Sequence, residues 1–267
     1  MILQLRKSSL AFCQRSLPTP WERIIAESVL FNSATTALFD PDLASLSVPK
    51  LRNILEPFLE NLAIPDSSPL ANSPVLGIPS EFFFTALEVS QLCYKVPLVP
   101  LDHVQALRLE ERLGELQLQN WNDNDSFEEP HVMYKTHQAA QLYIIAAKVL
   151  LFKILRPNKL TLDPTLIADL TSAMDIIRDD LGETFCGQYF TWPVFVISCA
   201  LNKDDIFGRE LIRRAMEKVW SKSSSGNVIF VLQALDTISE KFAAGYELDT
   251  LDLLRCCANG RQPQFED

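Results

Sequence analysis

Six cysteines, three histidines and a few clustered acids are the residues in this sequence whose chemistry could exceed that of a surface or a core. The cysteines stand at positions 13, 93, 186, 199, 256 and 257, without the CxxC pairs that structural zinc and dithiol redox motifs require. His131 and His137 lie too far apart to share a helical face, so they cannot form the adjacent pair of an HExxH zinc enzyme. With His103 they read as surface or boundary residues. Asp175, Asp179 and Asp180 can share part of one face, but Arg178 sits among them, and the acidic run from Asp123 to Glu129 lies in a polar loop. Both groups read as solvated rather than as magnesium–diphosphate ligands of the kind terpene cyclases use. No GxSxG elbow, GxGxxG turn or Walker sequence occurs, and 8 glycines leave little room for one. Neither a catalytic residue, a metal nor a cofactor is expected.

One local concentration stands out: Phe185, Tyr189, Phe190, Trp192 and Phe195 crowd a short helix that also carries Cys199. Two readings fit it. Such rings build an ordinary aromatic core, or they wall an apolar ligand pocket in which the polar tips of Trp and Tyr orient the guest. On the second reading the candidate ligand-binding residues are Trp192, Phe195, Tyr189 and Cys199, and the guest is an apolar small molecule.

The elements that must position these residues are helices. Thr19-Pro20-Trp21-Glu22 is a capping box with proline at the first helical position, predicting a helix to Phe39 that Asp40-Pro41 stops. Leu51, Ile54, Leu55, Phe58, Leu59 and Leu62 repeat at helical spacing, with Pro57 expected to kink them. Ile64 to Pro79 reads as a loop, and Ser80 as the cap of a helix to about Tyr94 that pairs with a second from Leu101 through Leu116. Residues 120–130 form a polar loop. Val132 to Leu155 is apolar on all sides and belongs at the centre of the bundle. Leu166, Ile167, Leu170, Met174, Ile177 and Leu181 form a stripe closed by Gly182. Thr191 is the expected cap of the helix through Ala200, and further helices follow over Phe207–Trp220, Val228–Phe242 and Leu248–Cys257. No segment alternates with period two for long enough to make a strand.

Composition agrees. Among 267 residues 48% are hydrophobic, which excludes a disordered chain, while the scarcity of glycine disfavours a turn-rich β architecture. The expected fold is all-α: a single large helical domain of about ten helices around a buried central helix, over residues 20–260, with an extension at 1–19 and a tail at 261–267. A net charge of −10 repels a phosphate backbone, so no direct sequence-specific DNA binding by this chain alone is expected. Arg6, Lys7 and Arg15 without an acid resemble a presequence faintly, and are taken as the start of a first helix. Thr184 to Asn202 is the longest uncharged stretch, but Gly187, Gln188 and Pro193 interrupt it, so it reads as buried, with no membrane partner.

Four passages in order, SATTALFDPDL from Ser33, SPVLGIPSEFFFTALEVSQL from Ser73, YIIAAKVLLFKILRP from Tyr143 and WPVFVISCAL from Trp192, together with RELIRRAMEKVW ending at Trp220, resemble the fungal-specific transcription-factor domain. That family is the all-helical regulatory region that usually follows a binuclear zinc-cluster DNA-binding domain. The resemblance spans roughly Trp21 to Thr237 and implies a transcription-regulator-like effector or ligand-sensing domain, located in the nucleus or cytoplasm, with a transcriptional protein partner. The zinc cluster's compact six-cysteine run has no counterpart in these residues: either the chain begins after that module or it never had one. The alternative is a helical pocket serving as an enzyme or binding protein of specialised metabolism, where orienting an apolar substrate suffices.

Overall fold

The chain opens as its local chemistry dictates. Thr19 donates its N–H to the Glu22 carboxylate at 2.7 Å while its hydroxyl accepts the Glu22 N–H, closing the capping box ahead of α1, Pro20–Thr36. The computed structural model describes residues 19–60, 75–118, 130–157, 159, 161–180, 190–223 and 226–259. Helix α1 ends three residues before Phe39, and Asp40 starts a single turn, α2 (Pro41–Ala44), by accepting the Asp42 N–H at 3.0 Å. Among the described residues this turn is the one helix beyond the ten the sequence predicts. Helix α3, Val48–Glu60, runs through Pro57 and buries Leu51, Leu55, Phe58 and Leu59. Leu62 and the greater part of the expected loop, including residues 64–74, lie outside the described residues.

Helix α4 spans Ser80–Cys93 and α5 Pro100–Leu118. Ser80 is not the cap: Pro79 holds the N-cap position with φ −52°, entering the helix one residue earlier than a serine cap requires, and no side chain caps it. Helix α6, Pro130–Leu155, packs against α4, α5, α7 (Pro164–Asp180), α8 (Thr191–Ala200) and α11 (Thr250–Asn259), with α9 (Ile206–Ser223) and α10 (Gly226–Ala243) completing the fold around α8. Its stretch His137–Leu155 is long and apolar enough to cross a membrane, with a mean hydropathy of 1.5, but 83% of it is buried by its neighbours. Among the described residues there are eleven helices and no strand, and one hydrophobic core runs from Ala26 to Cys257.

Two further expectations differ from the structure. Ile167 is 53% exposed, so the buried stripe of α7 is carried by Leu166, Leu170, Ala173 and Ile177 instead. Thr191 is the first helical residue of α8 rather than its cap, with Phe190 before it in a helical conformation and no side-chain cap bond. Leu181, Gly182 and the polar loop over 120–129 fall outside the described residues.

A buried carboxylate ties α1 to the segment that leads into α4. Glu27 accepts from Arg23 Nε at 2.8 Å and from the backbone N–H groups of Val75 and Leu76 at 2.8 and 3.3 Å. Glu27 is fully buried, so these donors take the place of water around its oxygens. Across the other face, Arg52 on α3 bonds both carboxylate oxygens of Glu81 on α4 at 2.8 and 3.2 Å and lies 4.2 Å above the Phe84 ring.

Candidate functional site

Helix α8 brings Trp192, Phe195 and Cys199 together in the centre of the protein, all fully or almost fully buried. Tyr189 and Phe185 lie outside the described residues. The Trp192 ring stacks on Tyr143 of α6 with centroids 5.5 Å apart and planes 11° from parallel. Tyr143 meets Phe83 of α4 at 5.0 Å, and Phe83 meets Phe31 of α1 at 6.0 Å, so four rings link four helices in one line. The polar atom of Trp192 is already engaged: its Nε1–H donates to Ser90 Oγ at 2.9 Å, and Ser90 in turn donates to the Ala86 carbonyl at 2.7 Å. Phe195 packs on Phe39 with centroids 4.5 Å apart.

Cys199 sits where α8, α11 and α4 meet, within electrostatic reach of Cys257, Cys256 and Cys93. The junction is fixed by Arg255 of α11, which donates to the Val96 carbonyl at 3.3 Å just beyond the end of α4. Burial first, and the neighbouring thiols second, push the Cys199 thiol well above its ordinary range. Burial likewise raises Cys93 against the opposing pull of Arg255, and raises Cys257 to about 12, helped by Cys256. Thiols held protonated in this way are weak nucleophiles and weak metal ligands. Cys257 is buried and Cys256 half-buried, so the adjacent pair faces in different directions. Among the described residues no group of His, Cys, Asp and Glu has a geometry suited to a metal ion.

A cleft of about 450 Å³ lies elsewhere, between the connection that follows α8 and helices α9 and α10. Its apolar wall is made by Ile206, Leu235, Phe242 and Ala243, and its charged rim includes Arg209 and Arg213. Asp205 sets the wall by capping α9: its Oδ1 accepts the Gly208 N–H at 2.8 Å. Gly208 permits that approach, since a Cβ there would overlap the Asp205 carboxylate. Arg209 is nearly buried, donates to the Asn202 carbonyl at 2.7 Å and to the Lys203 carbonyl, and lies 4.9 Å from the Phe242 ring. Arg213 pairs with Asp236 at 2.7 Å and Glu217 at 3.1 Å. Ile206 at the mouth is 71% exposed and the adjacent Phe207 is 91% exposed.

Among the residues that line this cleft no nucleophile sits beside a base, and Lys203, Glu210 and Arg213 are paired with charges of the protein itself. The cleft includes none of Trp192, Phe195 and Cys199. The sequence pattern does not reveal it, because its parts come from two helices and a connection. The one local signal is Asn202-Lys203-Asp204-Asp205 before a helix whose first turn contains a glycine and an arginine.

A family model described as a fungal specific transcription factor domain matches residues 48–238, from the start of α3 into the last turns of α10. That is 191 of 267 residues (238 less 47), so it includes the aromatic line from Phe83 onward and most of the cleft. No curated protein and no solved structure matches the chain.

Proposed function

The chain belongs to the fungal specific transcription factor domain family, and from that membership we propose that it is an effector-responsive regulatory domain that works in the nucleus through a transcriptional protein partner and leaves DNA reading to another module. The family match over α3 to α10 carries the regulatory part of this reading. The net charge of −10 supports the absence of direct duplex binding, because neutralising phosphates requires a basic surface.

The effector seat in this reading is the cleft between α9 and α10. Its chemistry suits an amphipathic small molecule whose apolar body lies against Phe242 and Leu235 while a polar end exchanges with the ion pairs of Arg213. Because α9 and α10 also pack on α8, a guest that separates or clamps them reaches the Trp192 core directly. Titration of the purified chain with an environment-sensitive hydrophobic dye, on wild type and on Ser239→Trp, tests the seat. Ser239 lines the cleft and is exposed, so a tryptophan there fills the space without disturbing the core. Saturable dye binding lost in Ser239→Trp supports the assignment, and equal binding by both proteins refutes it.

A further inference from the structure

Of the charged side chains lining the cleft between α9 and α10, three are answered by the protein itself: Lys203 by Glu247, Glu210 by Arg214 and Arg213 by Asp236. Arg209 is not. It is 8% exposed and forms no ion pair among the described residues. Its contacts are neutral ones, the Asn202 and Lys203 carbonyls and the Phe242 ring.

A guanidinium carries more N–H donors than two carbonyls can use. The Arg209 Nε–H has no acceptor among the described residues, and it is not sealed from solvent as the unpaired Nη1 of Arg23 is. The cleft is the space that Arg209 lines.

Burial withholds water from this cation and pulls its pKa down, against the opposite pull of Asp205 and Asp204. Neither acid comes within ion-pair distance. Asp205 accepts the Gly208 N–H, and Asp204 is exposed, where water solvates its charge. A buried charge without a contact partner is costly, whereas a solvated one is not. The cleft therefore lacks a negative charge at Arg209, and only one, because Asp204 and Glu210 on its lining repel a second.

We propose that the small molecule taken up by this cleft is an amphipathic carboxylic acid in its ionised form, its carboxylate on the Arg209 guanidinium and its apolar body along Leu235, Phe242 and Ala243. This rests on the cleft being the effector seat, and adds the charge of the guest. The planar fork of a guanidinium suits the two oxygens of a carboxylate. Arg213 stands one turn further along α9 and shares the head only by exchange with Asp236. A volume of about 450 Å³ is of the size that ligand pockets have.

Competition against a hydrophobic dye on the full 267-residue chain, at about pH 8, compares octanoate, 1-octanol, octyl phosphate and octyltrimethylammonium, which share one tail and differ in charge. Octanoate is expected to compete about tenfold or more better than octanol, and octyl phosphate and the cation less well than octanoate. Octanol equal to octanoate, or the cation ahead of it, would overturn the anionic guest; octyl phosphate ahead of octanoate would overturn the single charge. Arg209→Gln keeps amide donors for the carbonyls and loses the charge, so it is expected to abolish the preference for octanoate over octanol. Arg209 also anchors the turn after α8, so Ser239→Glu, an added acid at an exposed lining position, serves where the glutamine variant does not fold. It is expected to weaken octanoate and spare octanol. A preference that survives either variant would overturn the assignment to Arg209. Dye binding that is lost in Ser239→Trp but untouched by octanoate leaves the seat standing and removes the carboxylate; dye binding indifferent to Ser239→Trp removes both.

Discussion

Trp192 donates its indole N–H to Ser90 Oγ across 102 residues of sequence, joining α8 to α4 in the middle of the protein. The bond fixes which way the ring turns, and the stack on Tyr143 then follows from the position of α6. Trp192→Ala should destabilise the fold by about 3–5 kcal/mol, as truncation of a buried aromatic does. Ser90→Ala strands a buried N–H and should cost about 1–3 kcal/mol. Chemical denaturation measures both. A loss below about 1 kcal/mol for Trp192→Ala, with weakened binding of a hydrophobic dye, would instead make the ring a cavity wall.

The four described thiols should separate by rate of alkylation. Cys256 is half-buried, whereas Cys93, Cys199 and Cys257 are buried and held protonated. Iodoacetamide at neutral pH should label Cys256 in the native protein, and the other three only as fast as the helices open. Mass mapping over time checks the order, and labelling of Cys199 ahead of Cys256 would contradict the packing at this junction.

Alkaline pH should destabilise the protein through the same thiols. Cys257 titrates near 9 when unfolded and at about 12 when folded, so between those values the native state holds a proton that the unfolded state has released. Stability from this group is therefore complete below pH 9 and declines as pH rises, by up to about 1.4 kcal/mol per pH unit. Cys93 and Cys199 shift in the same direction and add to the slope. Urea denaturation across this range on wild type and Cys257→Ala should give a shallower decline in the variant.

The cap of α9 makes a coupled pair of substitutions. Asp205→Ala should cost about 1 kcal/mol by freeing the Gly208 N–H. Gly208→Ala displaces the Asp205 carboxylate, so in wild type its gain in helix propensity of about 1 kcal/mol is largely offset. In the Asp205→Ala background that gain should appear in full, and a double-mutant cycle by denaturation reads the difference.

Helix positions were legible in the sequence where periodicity and proline punctuation agreed. The Thr19 capping box, the apolar Val132–Leu155 helix and the α9–α11 series stand close to where spacing placed them. Single-residue assignments at Ser80 and Thr191 failed because a hydroxyl ahead of an apolar run looks like a cap whether or not the backbone has already turned helical. Trp192, Phe195 and Cys199 could be named as neighbours because one helix carries them, but no local pattern could reveal that Ser90 waits for the indole N–H. The cleft was less legible still, since Arg209 and Phe242 meet only through the packing of α9 on α10.

The central claim, that this family domain conveys an effector signal to transcription, is tested most directly by tethering. The 267-residue chain is fused to a heterologous DNA-binding domain, and reporter output is followed across growth conditions for wild type and Ser239→Trp at matched protein levels. The account predicts that wild-type output changes between conditions and that Ser239→Trp holds one level throughout. A wild-type fusion that gives the same output as the DNA-binding domain alone in every condition would contradict it.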